Sequence, residues 1–107
     1  MSTIDPADAR RRLEAGEAVL VDVREPDEWA AGHAPDAVHR PLGDLDPAEF
    51  AERSVITTCR GGGRGTRAAE RLAEAGVDAV SLDGGLRGWS EAGGPIVHDD
   101  GTPGALD

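Results

Sequence analysis

Short β-branched runs alternating with helical patterns constrain this chain more than any other feature. "AVLVDV" (18–23), "DAVHRPL" (36–42), "SVITT" (54–58) and "DAVSL" (78–82) are valine- or isoleucine-bearing and too short for buried helices, so each predicts a strand, the second stopped by Pro41. Helical patterns lie around and between them. "PADARRRLEAG" (6–16) follows the cap Asp5, turns Ala9 and Leu13 inward and stops at Gly16. Its Arg10-Arg11-Arg12 run reads as a solvated helix face. "EPDEWAAGH" (25–33) predicts a brief helix from Pro26 to Gly32, and "DPAEFAE" (46–52) another around Phe50. "GTRAAERLAEAG" (65–76) is amphipathic, and "GGLRGWSEAGG" (84–94) closes the series around Trp89. This alternation predicts an α/β fold with a mostly parallel sheet and helices on both faces. Residues 1–97 form the expected domain, and the polar, glycine- and proline-bearing 98–107 reads as a loose tail.

In such open sheets ligands sit beyond the carboxyl ends of the strands. Cys59, the one cysteine of the 107 residues, directly follows "SVITT". It opens the loop "CRGGGRG", which leads into the amphipathic helix. A thiolate is the nucleophilic form of cysteine, and helix N-termini and nearby cations favour it. The loop offers both, with Arg60 and Arg64 as the cations. Gly61, Gly62, Gly63 and Gly65 let the backbone curl, so that successive N–H groups can converge on one anion.

Three chemistries compete for this loop. An inert buried thiol is the ordinary reading of a lone cysteine, but four glycines and two arginines are poor core material. A nucleotide loop of the G-x-x-x-x-G-K-[ST] type needs a lysine, and all eleven basic residues here are arginine. A cysteine phosphatase needs arginine six positions after the cysteine, where this chain has Gly65; Arg64 comes one position early. The shorter loop suits a smaller group, such as one terminal sulfur on the cysteine.

Three segments together resemble a known family, the single-domain rhodaneses. "VLVDVREPDEWAAGHAPDAVHRPL" is similar to its first segment: strand, Asp-x-Arg, short helix, Gly-His and a strand leading to proline. "VITTCRGGGRGTRAAERLAEAGV" resembles its Cys-x-x-Gly-x-Arg loop, matched at Cys59, Gly62 and Arg64. "VSLDGGLRGWSEAGGPI" resembles its closing segment. The resemblance covers residues 4–97. It implies a five-stranded rhodanese-like sheet and a sulfurtransferase cycle through a Cys59 persulfide, with no metal or organic cofactor. It also implies that Arg60, Gly61, Gly62, Gly63, Arg64 and Gly65 bind an anionic donor such as thiosulfate, and that cyanide, a thiol or a protein acceptor takes the sulfur. Two departures stand out. Gly65 and Thr66 occupy the place where the family often has serine after the loop arginine, so the Thr66 hydroxyl is a candidate substitute. Asp36 replaces a common glycine.

Other residues carry weaker signals. Asp22 and Arg24 end a strand and either support the loop or form a cap and a surface ion pair. Arg64 either attracts the donor or braces the loop against a carboxylate or carbonyl. His33 is expected to pin the turn after Gly32. His39 and His98 are too scattered for a metal site, and Trp29 and Trp89 read as packing residues. A net charge of −10 argues against nucleic acid and anionic membranes as partners. The absence of lysine excludes Schiff-base chemistry, and a single cysteine excludes an internal disulfide or a cysteine-clustered zinc site. With no apolar secretion core or membrane span, a cytoplasmic monomer is the expected state. Phosphatase or arsenate reductase chemistry and a non-turnover sensing or sulfur-carrying module are the alternatives.

Overall fold

The computed structural model describes residues 2–106; the domain and tail ends Met1 and Asp107 lie outside them. The chain folds as β1 (Thr3–Ile4), α1 (Pro6–Glu14), β2 (Val19–Asp22), α2 (Pro26–Ala31), β3 (Val38–His39), β4 (Ser54–Thr58), α3 (Gly63–Glu74), β5 (Asp78–Leu82) and α4 (Gly85–Glu91). The sheet has the order β1-β5-β4-β2-β3, and every pairing is parallel, not merely most of them.

That order fixes where a site can form. β2 runs through α2 to β3 on one side, and β4 runs through α3 to β5 on the other. The chain therefore diverges between β2 and β4, and a crevice opens beyond their carboxyl ends. Their register pairs Asp22 with Thr58, so the residues that follow, Val23-Arg24 and Cys59-Arg60, emerge side by side.

The two faces of the sheet bury separate cores. Val21, Val23, Val55, Phe50, Ala68 and Leu72 pack under α3, with Cys59 among them. Leu20, Ile56, Leu82, Leu86, Ala9 and Trp89 pack under α1 and α4. Residues of β2 and β4 alternate between these faces, as a strand period of two requires.

Several expectations change in detail. Asp5 caps α1 by accepting from the Asp8 N–H at 2.9 Å, as expected. The strand expected to stop at Pro41 covers only Val38–His39: Arg40 and Leu42 still donate to the Asp22 and Val23 carbonyls, but these acceptors are consecutive rather than alternate residues of the chain, so regular pairing ends before Pro41, which cannot donate. The Phe50 helix is a 3-10 turn, Pro47–Phe50. β1 was not expected as a strand; Thr3 and Ile4 pair with Ser81 and Leu82. Residues 98–106 are not loose. His98 N–H bonds the Thr102 carbonyl, Gly104 N–H the Ile96 carbonyl and Ala105 N–H the Ala31 carbonyl, and Leu106 packs on the α1/α4 core. No helix among the described residues is long and apolar enough to cross a membrane.

Candidate active site

Cys59 leaves β4 with its side chain on the α3 face, only 2% exposed. Its Sγ accepts the Gly62 N–H at 3.1 Å. Gly62 is the residue before α3 and holds φ +118°, a left-handed conformation that side chains rarely adopt. The sulfur therefore sits against the positive end of a twelve-residue helix. α3 begins at Gly63, two residues earlier than the sequence suggests, which brings that end closer to Cys59.

The remaining glycines divide by role. Gly61 and Gly63 have ordinary φ and open space where a β-carbon would be, so they leave the backbone bare toward solvent. A β-carbon at Gly65 would meet Thr58 Cα at 3.2 Å, so α3 lies hard against β4 there. Thr57 Oγ1 ties the same contact by donating to the Gly65 carbonyl at 2.6 Å. The position that often carries serine in the family is thus a packing position here. Thr66 donates its N–H to the Gly62 carbonyl, and its hydroxyl makes no hydrogen bond among the described residues. The backbone N–H groups of Arg60, Gly61, Gly63, Arg64 and Gly65 likewise meet no protein acceptor among the described residues.

The two loop arginines differ. Arg60 is exposed and its guanidinium makes no ion pair or hydrogen bond among the described residues. Arg64 grips Glu28 of α2, with Nη1 at 2.6 Å and Nη2 at 3.0 Å from its two carboxylate oxygens. That fork holds Glu28 well below the usual carboxylate range, at about 2. The Arg64 guanidinium is pushed up, first by Glu28 and then by the neighbouring Cys59 sulfur. Arg64 therefore braces the loop on a carboxylate while staying beside the thiol.

Asp22 and Arg24 form no surface pair. Both are buried, 0% and 1% exposed, and joined by contacts of 2.8 and 3.0 Å. Arg24 also donates to the carbonyls of Glu28 and Gly32 at 3.3 and 2.7 Å. The pair thus ties the end of β2 to both ends of α2's last turns, and so to Glu28 and the Cys59 loop.

A second support was not read from the sequence. α4 starts at Gly84-Gly85, where Leu86 N–H donates to the Cys59 carbonyl at 2.8 Å and Arg87 N–H to the Arg60 carbonyl at 3.0 Å. Gly85 has φ +61°, and a β-carbon on it would fall 2.6 Å from the Cys59 carbonyl oxygen. Glu28 and Gly85 are thus the site-forming residues that sequence reasoning missed. The capping pattern Glu25-x-x-Glu28 was a visible cue, but it pointed to the helix end rather than to Arg64.

Trp29 stacks between His33 and His39, with centroids 3.7 and 4.7 Å away. His33 pins its turn as expected, its ring reaching the Ala34 carbonyl and Asp99 at 3.1 and 2.8 Å. No group of three potential metal ligands occurs among the described residues.

Known proteins share this fold. The chain is 35% identical over 105 residues to the uncharacterized protein slr1261 of Synechocystis, covering 94% of this chain and 59% of that one. A rhodanese-related protein of Thermoplasma volcanium superposes with a TM-score of 0.81 at 27% identity, covering 91% of this chain and 98% of its own. A thiosulfate sulfurtransferase of Pseudomonas aeruginosa gives 0.81 at 34% identity, covering 92% of this chain and 20% of its own. The chain spans about half the length of the curated relatives it matches. Residues 5–92, which hold every helix and every strand but β1, match the family model described as the rhodanese-like domain, and the chain belongs to that family.

Proposed function

We propose that this domain moves a sulfane sulfur from an anionic donor such as thiosulfate to a thiol, a protein acceptor or cyanide. The observation that carries the reading is the Cys59 sulfur held at the N-terminus of α3 by the Gly62 N–H. Similarity to the thiosulfate sulfurtransferase of Pseudomonas aeruginosa supports it. The Cys59 thiolate attacks the outer sulfur of the donor. The new S–S bond forms as the old one breaks, and sulfite leaves with the electron pair. The persulfide's outer sulfur then meets the N–H groups of the loop, which are oriented before the reaction begins. A nucleophilic acceptor attacks that sulfur, and the electron pair of the broken bond returns to Cys59 as thiolate. No redox partner or cofactor enters the balance.

Phosphoryl transfer fits this loop poorly. Its arginine falls one residue early and is engaged with Glu28. The test is the intact mass of the reduced protein after thiosulfate treatment. A gain of one sulfur atom is expected, and none in Cys59→Ser. No gain, with phosphate released from an aryl phosphate, would overturn the proposal.

A further inference from the structure

We propose that Arg87, at the start of α4, reads the oxyanion end of the sulfur donor together with Arg60. The inference rests on the sulfur-transfer reading of Cys59 and adds the residue that sets preference among donors. A donor such as thiosulfate carries a compact sulfonate-like group beside the sulfur it gives up. Recognising that group takes hydrogen-bond donors with positive charge near the loop. The chain's net charge of −10 works against approach of any anion, so local cations must offset it.

Of the arginines around Cys59, Arg64 is already committed. Both its terminal nitrogens are on the Glu28 carboxylate, so the pair presents little net charge to an incoming anion. Arg60 is exposed and unpaired, as described above. Arg24 is committed to Asp22, and Arg87 is the remaining arginine whose backbone the fold brings to this loop. Its own N–H bonds the Arg60 carbonyl at 3.0 Å, which fixes its backbone one hydrogen bond from the loop. The neighbouring Leu86–Cys59 bond and the tight seat of Gly85 leave this junction little freedom.

Helical side chains tilt toward the helix N-terminus, and for α4 that end faces the Cys59 loop. Arg87 is exposed, and among the described residues its guanidinium makes neither an ion pair nor a hydrogen bond. Asp83 and Glu91, four residues before and after it, are the carboxylates placed to compete for it, yet neither forms an ion pair with it among the described residues. Arg60 and Arg87 therefore flank the loop as two cations without partners, one from the loop itself and one from the helix that supports it. The ligand class is a small anion bearing a sulfonyl or sulfonate group next to a sulfane sulfur.

Steady-state rates for thiosulfate and for a neutral organic trisulfide, measured on the wild type, Arg87→Ala, Arg87→Lys and Arg60→Ala, test this. Arg87→Ala is expected to raise the thiosulfate KM roughly tenfold with kcat little changed, the loss typical of one charged hydrogen bond. Arg87→Lys should restore most of it, and the trisulfide KM should not move. A second arm needs no turnover: sulfite titrated into Cys59→Ser, followed by backbone amide shifts, should bind roughly tenfold more weakly when Arg87→Ala is added. An unchanged thiosulfate KM, equal losses with both donors, or equal sulfite affinities would overturn the role of Arg87. If the wild type takes no sulfur from thiosulfate, the sulfur-transfer reading fails, and the sulfite arm still decides whether Arg87 binds such an anion.

Discussion

The loop that carries Cys59 is held on its two sides by different kinds of bond. On the α2 side the support is a run of charged side chains: Asp22 to Arg24, Arg24 to the α2 carbonyls, and Glu28 to Arg64. On the α4 side it is main chain, with two N–H groups on the Cys59 and Arg60 carbonyls and a glycine at their closest approach. The charged side reaches the loop through long side chains whose partners sit on other elements. The main-chain side reaches it through backbone that has no room for a β-carbon. The first should fail through charge, and the second through shape.

The largest effect is expected deep in the charged side. Arg24→Met leaves the Asp22 carboxylate buried without its partner and removes two bonds to α2. Breaking one half of such a pair costs about 3–5 kcal/mol. Urea denaturation should show a loss of that size, with the unfolding slope unchanged. Asp22→Leu/Arg24→Met, which buries no lone charge, should lose less than Arg24→Met alone. A cost under about 1 kcal/mol for Arg24→Met would mean that the pair does not hold the end of β2 as described.

Next comes the main-chain side. Gly85→Ala puts a β-carbon 2.6 Å from one loop carbonyl oxygen and 2.8 Å from the next, at φ +61°. Strain of this kind costs about 1–3 kcal/mol, and the loop must shift to relieve it. Sulfur loading of Cys59 by thiosulfate, followed by intact mass, should slow more than the stability loss alone explains. Gly43→Ala is the control for stability, since Gly43 has an ordinary φ and nothing within 4 Å of the added carbon. It should change stability by no more than about 0.5 kcal/mol. Equal stability and equal loading in Gly85→Ala and Gly43→Ala would remove shape from the account.

The same contrast separates what could be read in the sequence from what could not. Local chemistry was legible: the strand "SVITT", the amphipathic α3, the Asp5 cap and the placement of Cys59 at a strand's end. All depend on neighbours within a few residues. Glu28 was not legible as Arg64's partner, because the two stand 36 residues apart and meet only when β2 and β4 lie side by side. Arg24 could be read either as a support of the loop or as half of a surface ion pair, because nothing local shows that β2 ends inside the molecule. β1 has two residues, too few for a period, and exists because β5 offers an edge. The last ten residues carry the composition of a loose segment, yet Gly104 is there because its backbone passes Gly32, where a β-carbon would lie 2.9 Å from the Gly32 Cα. The double glycine of α4 was visible as a family feature, but its contact with the Cys59 carbonyl depends on the whole sheet.

The smallest effect is expected where the charged side meets solvent, and pH isolates it. Glu28 has an ordinary pKa near 4.5 and a folded value of about 2, lowered chiefly by Arg64. The unfolded chain therefore binds the proton first as pH falls. The stabilisation is complete above about pH 5 and is lost progressively from 4.5 down to about 2. The pair is partly exposed, so its worth at neutral pH is set at about 1 kcal/mol. Glu28→Gln should remove that amount at pH 7, measured by urea midpoint. The gap between wild type and Glu28→Gln should then narrow as pH drops below 4.5 and be nearly gone near 2, where the folded Glu28 is half protonated and the unfolded one almost wholly so. Asp100, also held below its usual range by Thr102, titrates identically in the two proteins and cancels in the difference. A gap that stays constant from pH 5 to 2 would show that Glu28 supports α2 by packing or capping alone. The charged link to the Cys59 loop would then have no energetic content, and the loop would depend on its main-chain side.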